Sequence, residues 1–157
     1  MDAIDEKRME QAIDEALVNI DKGGGPFGAL ITFKGEVIAK TGNSVTRDYD
    51  PTAHAEINAI RQAAKHLKTF DLSGCILYTT CEPCPMCLGA IYWAKIERIF
   101  YTSTRSEAKD AGFNDEFIYD EFALPIHQRF IPLVRIDGIN KARVFDKWKL
   151  KTDKNMY

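Results

Sequence analysis

Two short segments of the sequence carry side chains that bind metal ions and transfer protons. The first is His54-Ala55-Glu56, and the second is Pro83-Cys84-Pro85-Met86-Cys87. A Cys-x-x-Cys pair at the start of a helix points two thiolates toward one ion, and the positive end of the helix lowers the thiol pKa. Because His54 adds a third ligand to Cys84 and Cys87, the two segments predict a zinc ion with one open tetrahedral position.

An open position on zinc is a site for hydrolysis, because zinc lowers the pKa of a bound water to about 7 and so supplies hydroxide at neutral pH. Glu56 follows His54 by two residues. In the first turn of a helix, this spacing places the carboxylate beside the metal-bound water without ligating the metal. We therefore predict that Glu56 is the catalytic residue, which takes a proton from the water and passes it to a leaving group.

Cys81 leaves a second metal assignment open. Together with Cys84 and Cys87 it forms Cys-x-x-Cys-x-x-Cys, which is part of an iron–sulfur run without the usual fourth cysteine. Cys75 is a poor substitute for that cysteine because it begins the preceding strand. We expect Cys75 and Cys81 to be small buried residues near this strand.

The spacing of apolar residues predicts the helices and strands that position these segments. In chain order they are a helix containing Met9 to Ile20, capped by Asp2 or Asp5 and ended by Gly23-Gly24-Gly25-Pro26; a hairpin of Phe27–Phe33 and Glu36–Lys40 around Lys34-Gly35; a loop, Thr41–Asp50; a helix from Pro51; a strand, Cys75–Thr80; a helix, Pro85–Ala94; a strand, Arg98–Thr102; short helices and loops over Ser103–His127; an edge strand, Phe130–Ile136; and a helix with Ile139, Ala142, Phe145 and Trp148 along one face. This order predicts an α/β fold, a three-layer α/β/α sandwich with a five-stranded mixed sheet.

Length and composition restrict the kind of protein. A chain of 157 residues with 45% hydrophobic and 28% charged residues is one ordinary globular domain, which excludes a largely disordered chain. The net charge of −2 argues against a globally basic nucleic-acid binder, although residues 138–157 carry six Lys or Arg against two Asp. We expect these extra positive charges to lie on the solvated face of a terminal helix. The alternative is that they contact phosphates. The N-terminus lacks a signal-peptide pattern and no apolar run spans a membrane, which predicts a cytoplasmic protein with reduced cysteines.

His-x-Glu followed by Pro-Cys-x-x-Cys is the signature of zinc nucleobase deaminases. The sequence resembles the cytidine-deaminase-like superfamily through these residues. The segments that look like bacterial guanine deaminases are Gly25-Pro26-Phe27-Gly28-Ala29, Pro51-Thr52-Ala53-His54-Ala55-Glu56, residues 81–94, Ala111-Gly112-Phe113 and the terminal Tyr157. The resemblance implies a cytidine-deaminase-like fold with one zinc ion per subunit. It also implies hydrolytic deamination of guanine to xanthine and ammonia, with Glu56 as the proton shuttle.

The same resemblance implies residues that bind a purine base. Asn43 is expected to recognise the base edge, or else to form a turn with Gly42. Asp115 is expected to accept hydrogen bonds from ring N–H groups, or else to lie on the surface or cap a helix. This chain has Asn114 where guanine deaminases have an aspartate, which puts the role of that position in doubt.

Three further substrate contacts are expected. Phe27 is a candidate wall of the base slot or a core residue. The backbone N–H groups of Ala55 and Cys84 are expected to stabilise the tetrahedral intermediate. In guanine deaminases of this type the C-terminal segment looks domain-swapped. We therefore expect a homodimer in which residues 138–157 reach the partner's site and Tyr157 caps the base. A disordered tail is the alternative.

Three other functions stay open. Guanosine deaminase shares much of the motif set, and a tRNA adenosine deaminase shares both zinc motifs and would use the basic tail. The net charge and residues 111–115 argue against that RNA substrate. A zinc-stabilised binding module is the non-enzyme alternative, in which a protein side chain fills the fourth metal position.

Overall fold

The computed structural model describes residues 2–138 and 142–156. Within these ranges the elements in chain order are α1 (Ala3–Asp21), β1 (Gly28–Phe33), β2 (Glu36–Gly42), α2 (Val45–Asp48), α3 (Ala55–Leu67), β3 (Cys75–Cys81), α4 (Pro85–Trp93), β4 (Arg98–Ser103), α5 (Arg105–Asp110), α6 (Glu116–Ala123), a 3₁₀ turn (Ile126–Gln128) and α7 (Ala142–Leu150). The predicted order of long helices and strands up to β4 is confirmed.

Helix α1 begins at a reciprocal cap that the sequence predicts. The Asp2 carboxylate accepts hydrogen bonds from the backbone N–H groups of Ile4 and Asp5, both at 2.9 Å. The Asp5 side chain accepts one in return from the Asp2 N–H, which completes a capping box. The helix ends before three glycines, where Gly23 adopts a left-handed φ of +79°. This turn brings the chain back onto the sheet at β1.

The sheet is mixed, with the strand order β2-β1-β3-β4 among the described residues. Strand β1 is antiparallel to both β2 and β3, whereas β3 and β4 are parallel. The β1–β2 hairpin turns at Lys34 and Gly35, whose φ angles of +50° and +84° match the twist of the flanking strands. The two central strands, β1 and β3, are therefore the ones buried on both sides.

Helices cover both faces of this sheet. Leu30 and Tyr78 point to one face, where they pack with Met9 and Ala12 of α1. The opposite face carries a second core, built from β1, β2 and β3 together with α3 and α4; its buried members include Ala29, Ile31, Leu77, Ala55, Ala59, Ala63 and Ile91. This alternation along β1 and β3 is the period of two that a strand imposes. The α/β architecture with a mixed sheet is as expected.

The predicted fifth strand, Phe130–Ile136, is wrong. These residues form no strand within the described ranges. Phe130 is 86% exposed and Val134 is 81% exposed, so the segment buries neither of its faces in the chain. A strand needs a neighbour for its backbone N–H and C=O groups, and Pro132 removes one of those donors. The apolar run is therefore surface within a single chain, and the sheet of the described residues has four strands.

The predicted start of the second long helix at Pro51 is also wrong. Helix α3 begins at Ala55, with His54 as its N-cap. The Asp50 carboxylate accepts from the Thr52 N–H at 2.8 Å and from its hydroxyl at 2.7 Å. This local turn gives the backbone an alternative to helix, so that Pro51 lies in the turn instead. The consequence is that His54 occupies a helix terminus rather than a helix interior.

The C-terminal part of the chain contains the predicted last helix, α7. Ala142, Phe145 and Trp148 lie on it, whereas Ile139 and Tyr157 lie outside the described residues. Among the described residues, no helix has the length and apolar character needed to cross a membrane.

Candidate active site

His54 and Cys84 occupy matching places, each immediately before the first turn of a helix. His54 precedes α3 and Cys84 precedes α4. Pro85 suits the first position of α4 because the N–H that it lacks would have no acceptor within the helix. One turn further, Cys87 is fully buried and its backbone N–H donates to Cys84 Sγ at 3.5 Å. The starts of two helices thus meet with three ligand-type side chains between them.

The geometry of these three side chains fits a zinc ion. His54 Nδ1 lies 3.6 Å from Cys84 Sγ and 3.5 Å from Cys87 Sγ. In a tetrahedral zinc site, bonds of about 2.3 Å to sulfur and about 2.0 Å to nitrogen separate the two ligand atoms by about 3.6 Å. All three ligand atoms lie within 4.8 Å of one another. A zinc ion therefore fits among them with little movement.

Cys81 does not belong to this group of ligand atoms. Its thiol donates to the carbonyl of Thr104 at 3.7 Å instead. Burial raises the pKa of the Cys81 thiol to about 11, which keeps it protonated. Cys75 and Cys81 are both buried, as expected. The ligand set of the described residues is therefore one imidazole and two thiols, and it is not an iron–sulfur run.

One thiol of the site, that of Cys84, carries a negative charge that favours a cation. The hydrogen bond from the Cys87 side chain lowers the pKa of Cys84 to about 4, assisted by His54 and opposed by burial. The same hydrogen bond, together with burial, raises the pKa of Cys87. The hydrogen bond with Cys84 raises the pKa of His54. Because metals bind thiolate and neutral imidazole, a zinc ion binding here would release protons.

Glu56 lies next to the three ligand side chains. It is 6% exposed, and its Oε2 lies 3.6 Å from Cys87 Sγ. The hydroxyl of Thr79, on β3, donates to Glu56 Oε1 at 3.2 Å. Burial raises the pKa of the Glu56 carboxyl above its usual value. A carboxyl that can hold a proton beside an open metal position is suited to proton transfer. Sequence reasoning missed Thr79, since nothing in its strand marks it as a partner of Glu56.

A cavity of about 500 Å³ opens over these groups. Six of the predicted residues line it: Phe27, Asn43, His54, Glu56, Cys84 and Asp115. The Phe27 ring also packs edge-on against Phe113, with centroids 4.9 Å apart and planes at 82°. Phe113 was not predicted as a lining residue, although it follows Gly112 in a segment that the resemblance singles out. The two rings make one wall of the cavity apolar, as a planar ligand requires.

Asn43 forms a side-chain turn and also lines the cavity, where its expected recognition of the base edge stays a prediction. Its Oδ1 accepts from the backbone N–H of Val45 at 3.2 Å, which is the turn that asparagine forms with its own backbone. The bond identifies the oxygen end of the amide. Asn43 also lines the cavity, and its Nδ2 is the end left to donate to a ligand.

Asp115 stands at the N-cap position of α6, but its side chain makes no capping hydrogen bond. It lines the cavity instead, and Asn114 lies beside it in the same lining. Burial raises the pKa of the Asp115 carboxyl, and the negative charge of Cys84 raises it further. Asp115 is therefore the N-cap residue of α6 by position, but its side chain does not cap the helix. Glu82, Val45 and Thr46, which the sequence did not mark, also line the cavity.

Ala55, another predicted substrate contact, is not among the described residues that line the cavity. Ala55 is fully buried and is the first residue of α3. Its backbone N–H is one of those that lack an acceptor within the helix. Tyr157 lies outside the described residues, so its expected role as a cap stays a prediction.

Comparison with known proteins follows from this geometry. A mixed α/β sheet that carries a His-Cys-Cys cluster with a buried glutamate is the arrangement of a zinc-dependent hydrolase. Residues 2–103 match the cytidine and deoxycytidylate deaminase zinc-binding region. The chain belongs to this family of zinc-dependent deaminases.

Two kinds of relative match different lengths of the chain. The guanine deaminase of Bacillus subtilis (strain 168) is 45% identical over 150 residues, which are 95% of this chain and 96% of that protein. An X-ray structure of guanine deaminase from Bacillus subtilis has a TM-score of 0.95 at 44% identity, covering 100% of this chain and 99% of that chain. The tRNA-specific adenosine deaminase of Aquifex aeolicus (strain VF5) is 44% identical over 95 residues, 60% of this chain and 63% of that protein.

Proposed function

We propose that the protein hydrolyses guanine to xanthine and ammonia. The observation that carries this proposal is the extent of the match to guanine deaminase, which includes most of the chain beyond Ser103. The family region ends at that residue. The chain after Ser103 supplies Phe113, Asn114 and Asp115 to the cavity. Because these residues lie beyond the zinc-binding region, they are where one deaminase can differ from another in its choice of base.

Glu56 is the proton carrier in this proposal. His54, Cys84 and Cys87 would hold a zinc ion, which when bound would activate a water for attack on C2 of the ring. Glu56 accepts the proton of that water and delivers it to ring N3. It then carries the second proton to the departing amine. Burial raises the pKa of the Glu56 carboxyl, and this supports the role because a raised pKa helps the group to hold a proton between the two transfers.

The base is held by one donor, one acceptor and an apolar wall. Asn43 Nδ2 donates to an acceptor on the ring edge, and the Asp115 carboxylate accepts from ring N–H groups. Guanine has such N–H groups, whereas the pyrimidine ring of adenine has none. Phe27 and Phe113 form the wall against which the ring lies. The backbone N–H groups of Ala55 and Cys84 are proposed to stabilise the charge that develops during attack.

A substrate panel tests the proposal. Guanine, guanosine, adenine, cytosine and tRNA are each assayed for ammonia release, with zinc quantified in the same sample. We expect turnover of guanine at least about 10⁴-fold above that of adenine, because adenine leaves buried polar groups unpaired. Turnover of adenosine in tRNA, weakening steeply with salt, would instead identify a tRNA deaminase.

Guanosine is the second candidate substrate, because the volume of the cavity leaves room beyond a base. That volume, about 500 Å³, is more than a planar base fills. If guanosine turns over faster than guanine, the site acts on nucleosides. No ammonia release from either compound, in material that contains zinc, would leave the non-enzyme alternative.

We propose further that the working form is a homodimer in the cytoplasm, where its four free thiols stay reduced. Large apolar side chains are exposed on α4, on the segment that follows α6, and on α7. They include Tyr92, Trp93, Phe130, Ile131, Val134 and Phe145. Exposed large apolar side chains concentrated on these elements support an interaction surface there. A partner subunit whose residues 138–157 cross to the neighbouring site is the proposed cover, with Tyr157 capping the base there.

A further inference from the structure

Asn19 is a buried polar side chain on the otherwise apolar inner face of α1. It is 3% exposed. Its Nδ2 donates to the carbonyl of Asn43 at 2.7 Å and to that of Gly25 at 2.8 Å. Its Oδ1 accepts from Arg47 Nη1 at 3.2 Å. One amide therefore ties a helix to two separate pieces of the cavity wall, since Gly25 and Asn43 both line the cavity.

Two glycines leave the space that this amide occupies. A Cβ on Gly24 would lie 2.3 Å from Asn19 Nδ2, and a Cβ on Gly42 would lie 2.4 Å from Asn19 Cγ. Real side chains do not approach so closely. Glycine at both positions is thus a steric condition for Asn19 to reach the carbonyl of Asn43.

A second asparagine holds the same segment from α3, on the opposite face of the sheet. Asn58 Nδ2 donates to the Gly42 carbonyl at 3.1 Å and to Ser44 Oγ at 3.0 Å. Between these anchors, the Asn43 N–H donates to the Phe27 carbonyl at 3.1 Å. The backbone before, at and after Asn43 is therefore held from both sides.

We propose that Asn19 and Asn58 are positioning residues that fix the Asn43 amide for base recognition. The inference rests on the proposed function, in which Asn43 donates to the purine. Neither residue lines the cavity, so Asn19 acts through the carbonyl of Asn43 and Asn58 acts through the neighbouring Gly42 and Ser44. Holding that backbone keeps the Asn43 donor aimed at the ring before the base arrives, which lowers the ordering cost of binding. Their loss weakens substrate binding more than it slows the chemical step.

The test is the kinetics of Asn19→Ala in the full-length, zinc-loaded protein. We expect KM for guanine to rise about tenfold. This is the effect of losing about one hydrogen bond to the substrate, since Asn43 would no longer be held in place to donate it. We expect kcat to stay within about threefold, because zinc and Glu56 are not touched. Asn58→Ala is the second variant, with the same direction of change, and it serves if Asn19→Ala fails to fold.

Tyr78→Phe is the matched control. It removes another hydrogen bond between α1 and the sheet, from Tyr78 Oη to Asp5 at 2.7 Å, at a place that does not line the cavity. We expect a similar loss of thermal stability but an unchanged KM. If Tyr78→Phe raises KM as much as Asn19→Ala does, the effect is general loosening of α1 and the proposal is overturned.

A double-mutant cycle separates positioning from general damage. In an Asn43→Ala background, Asn19→Ala should change KM by less than about twofold, since the amide that it positions is gone. An equal factor in both backgrounds, or an unchanged KM for Asn19→Ala alone, overturns the positioning role. Wild-type protein that does not turn over guanine overturns the proposed function itself, and the positioning role with it.

Discussion

At the scale of single residues, the same carboxyl group acquires different properties from different surroundings. Glu56 and Asp115 both line the cavity. Glu56 is buried and bonded to Thr79, whereas Asp115 is half-buried and faces the cavity from a different element. Burial is the first cause that raises the pKa of each carboxyl. Glu56 lies beside the metal ligands, where we propose that it transfers protons, and Asp115 lines the cavity, where we propose that it reads the base.

Glu56→Ala should separate metal binding from turnover. We expect zinc to stay near one ion per subunit, because His54, Cys84 and Cys87 are unchanged. The rate should fall by about 10²–10⁴-fold, the usual contribution of a positioned proton carrier. Zinc content by elemental analysis and kcat for guanine are measured on the same preparation. Near-normal turnover would rule out the proton-carrier role.

Asp115→Ala should reduce turnover of guanine without removing the metal. Among the described residues, the Asp115 side chain forms no hydrogen bond with His54, Cys84 or Cys87. The zinc content should therefore be unchanged. Loss of a charged acceptor for ring N–H groups should lower kcat/KM by about 10- to 100-fold. Asp110→Ala, a neighbouring exposed carboxylate on α5, is the control and should leave kcat/KM unchanged. Equal losses of zinc and activity would make Asp115 a structural residue.

The residues that bind metal were predictable because local sequence alone places them. His-x-Glu and Cys-x-x-Cys need a helix start beneath them, and the chain supplies two. Thr79 and Asn19 were not predictable in the same way. Their partners, Glu56 and Asn43, are joined to them by strand pairing and helix packing across 23 and 24 residues. Only the tertiary structure brings such pairs together.

At the scale of elements, the sequence predicted those helices, strands and turns that local residue patterns determine. The prediction failed where one pattern is compatible with two structures. The β1–β2 hairpin and the cap of α1 follow from turn and capping residues, and both are confirmed. An apolar run such as Phe130–Ile136 is typical of a strand and equally of a surface that another chain covers. Pro51 is typical of a helix start and equally of a turn, and the Asp50 carboxylate selects the turn.

The loops before β3 and β4 are joined by one acidic side chain. Asp71 accepts from Lys95 Nζ at 2.7 Å and from the Ser73 N–H at 3.0 Å. The hydrogen bond from Lys95, followed by those from Ser73, lowers the pKa of Asp71 well below its usual value. The ionised Asp71 side chain thus links the loop that leads into β3 to the loop that leads into β4.

Asp71→Asn should give a pH-dependent loss of stability. The folded state lowers the pKa of Asp71, so the wild-type advantage is fully present above the unfolded pKa, about 3.9, and is lost as pH falls through the lower folded value. Urea unfolding at pH 7 should therefore show the variant less stable. The difference should shrink steadily below pH 4. A difference that stays constant down to pH 2.5 would mean that the charge of Asp71 does not contribute.

At the scale of the whole molecule, the exposed apolar surfaces and the basic C-terminal segment lead to a test of the proposed swapped dimer. Glu56→Ala and Tyr157→Ala are each made in full-length chains, and both variants are co-expressed. If Tyr157 serves the partner's site, a mixed dimer holds one site with both defects and one site with none. Random pairing should then restore about a quarter of wild-type activity. No activity above the separate variants would show that Tyr157 does not act across the dimer.

The meeting of two helix starts has a consequence for heat resistance. An ion held by His54 and Cys84 cross-links chain segments 30 residues apart, which closes a long loop in the native fold alone. Chelation should therefore lower the melting temperature, and restored zinc should raise it by an amount that grows with the free ion concentration. Calorimetry across a buffered zinc series measures this, and a flat response would mean that the fold holds α3 against α4 without the ion. If the melting temperature does depend on zinc, a shortage of zinc shortens the lifetime of the folded protein as well as removing its activity.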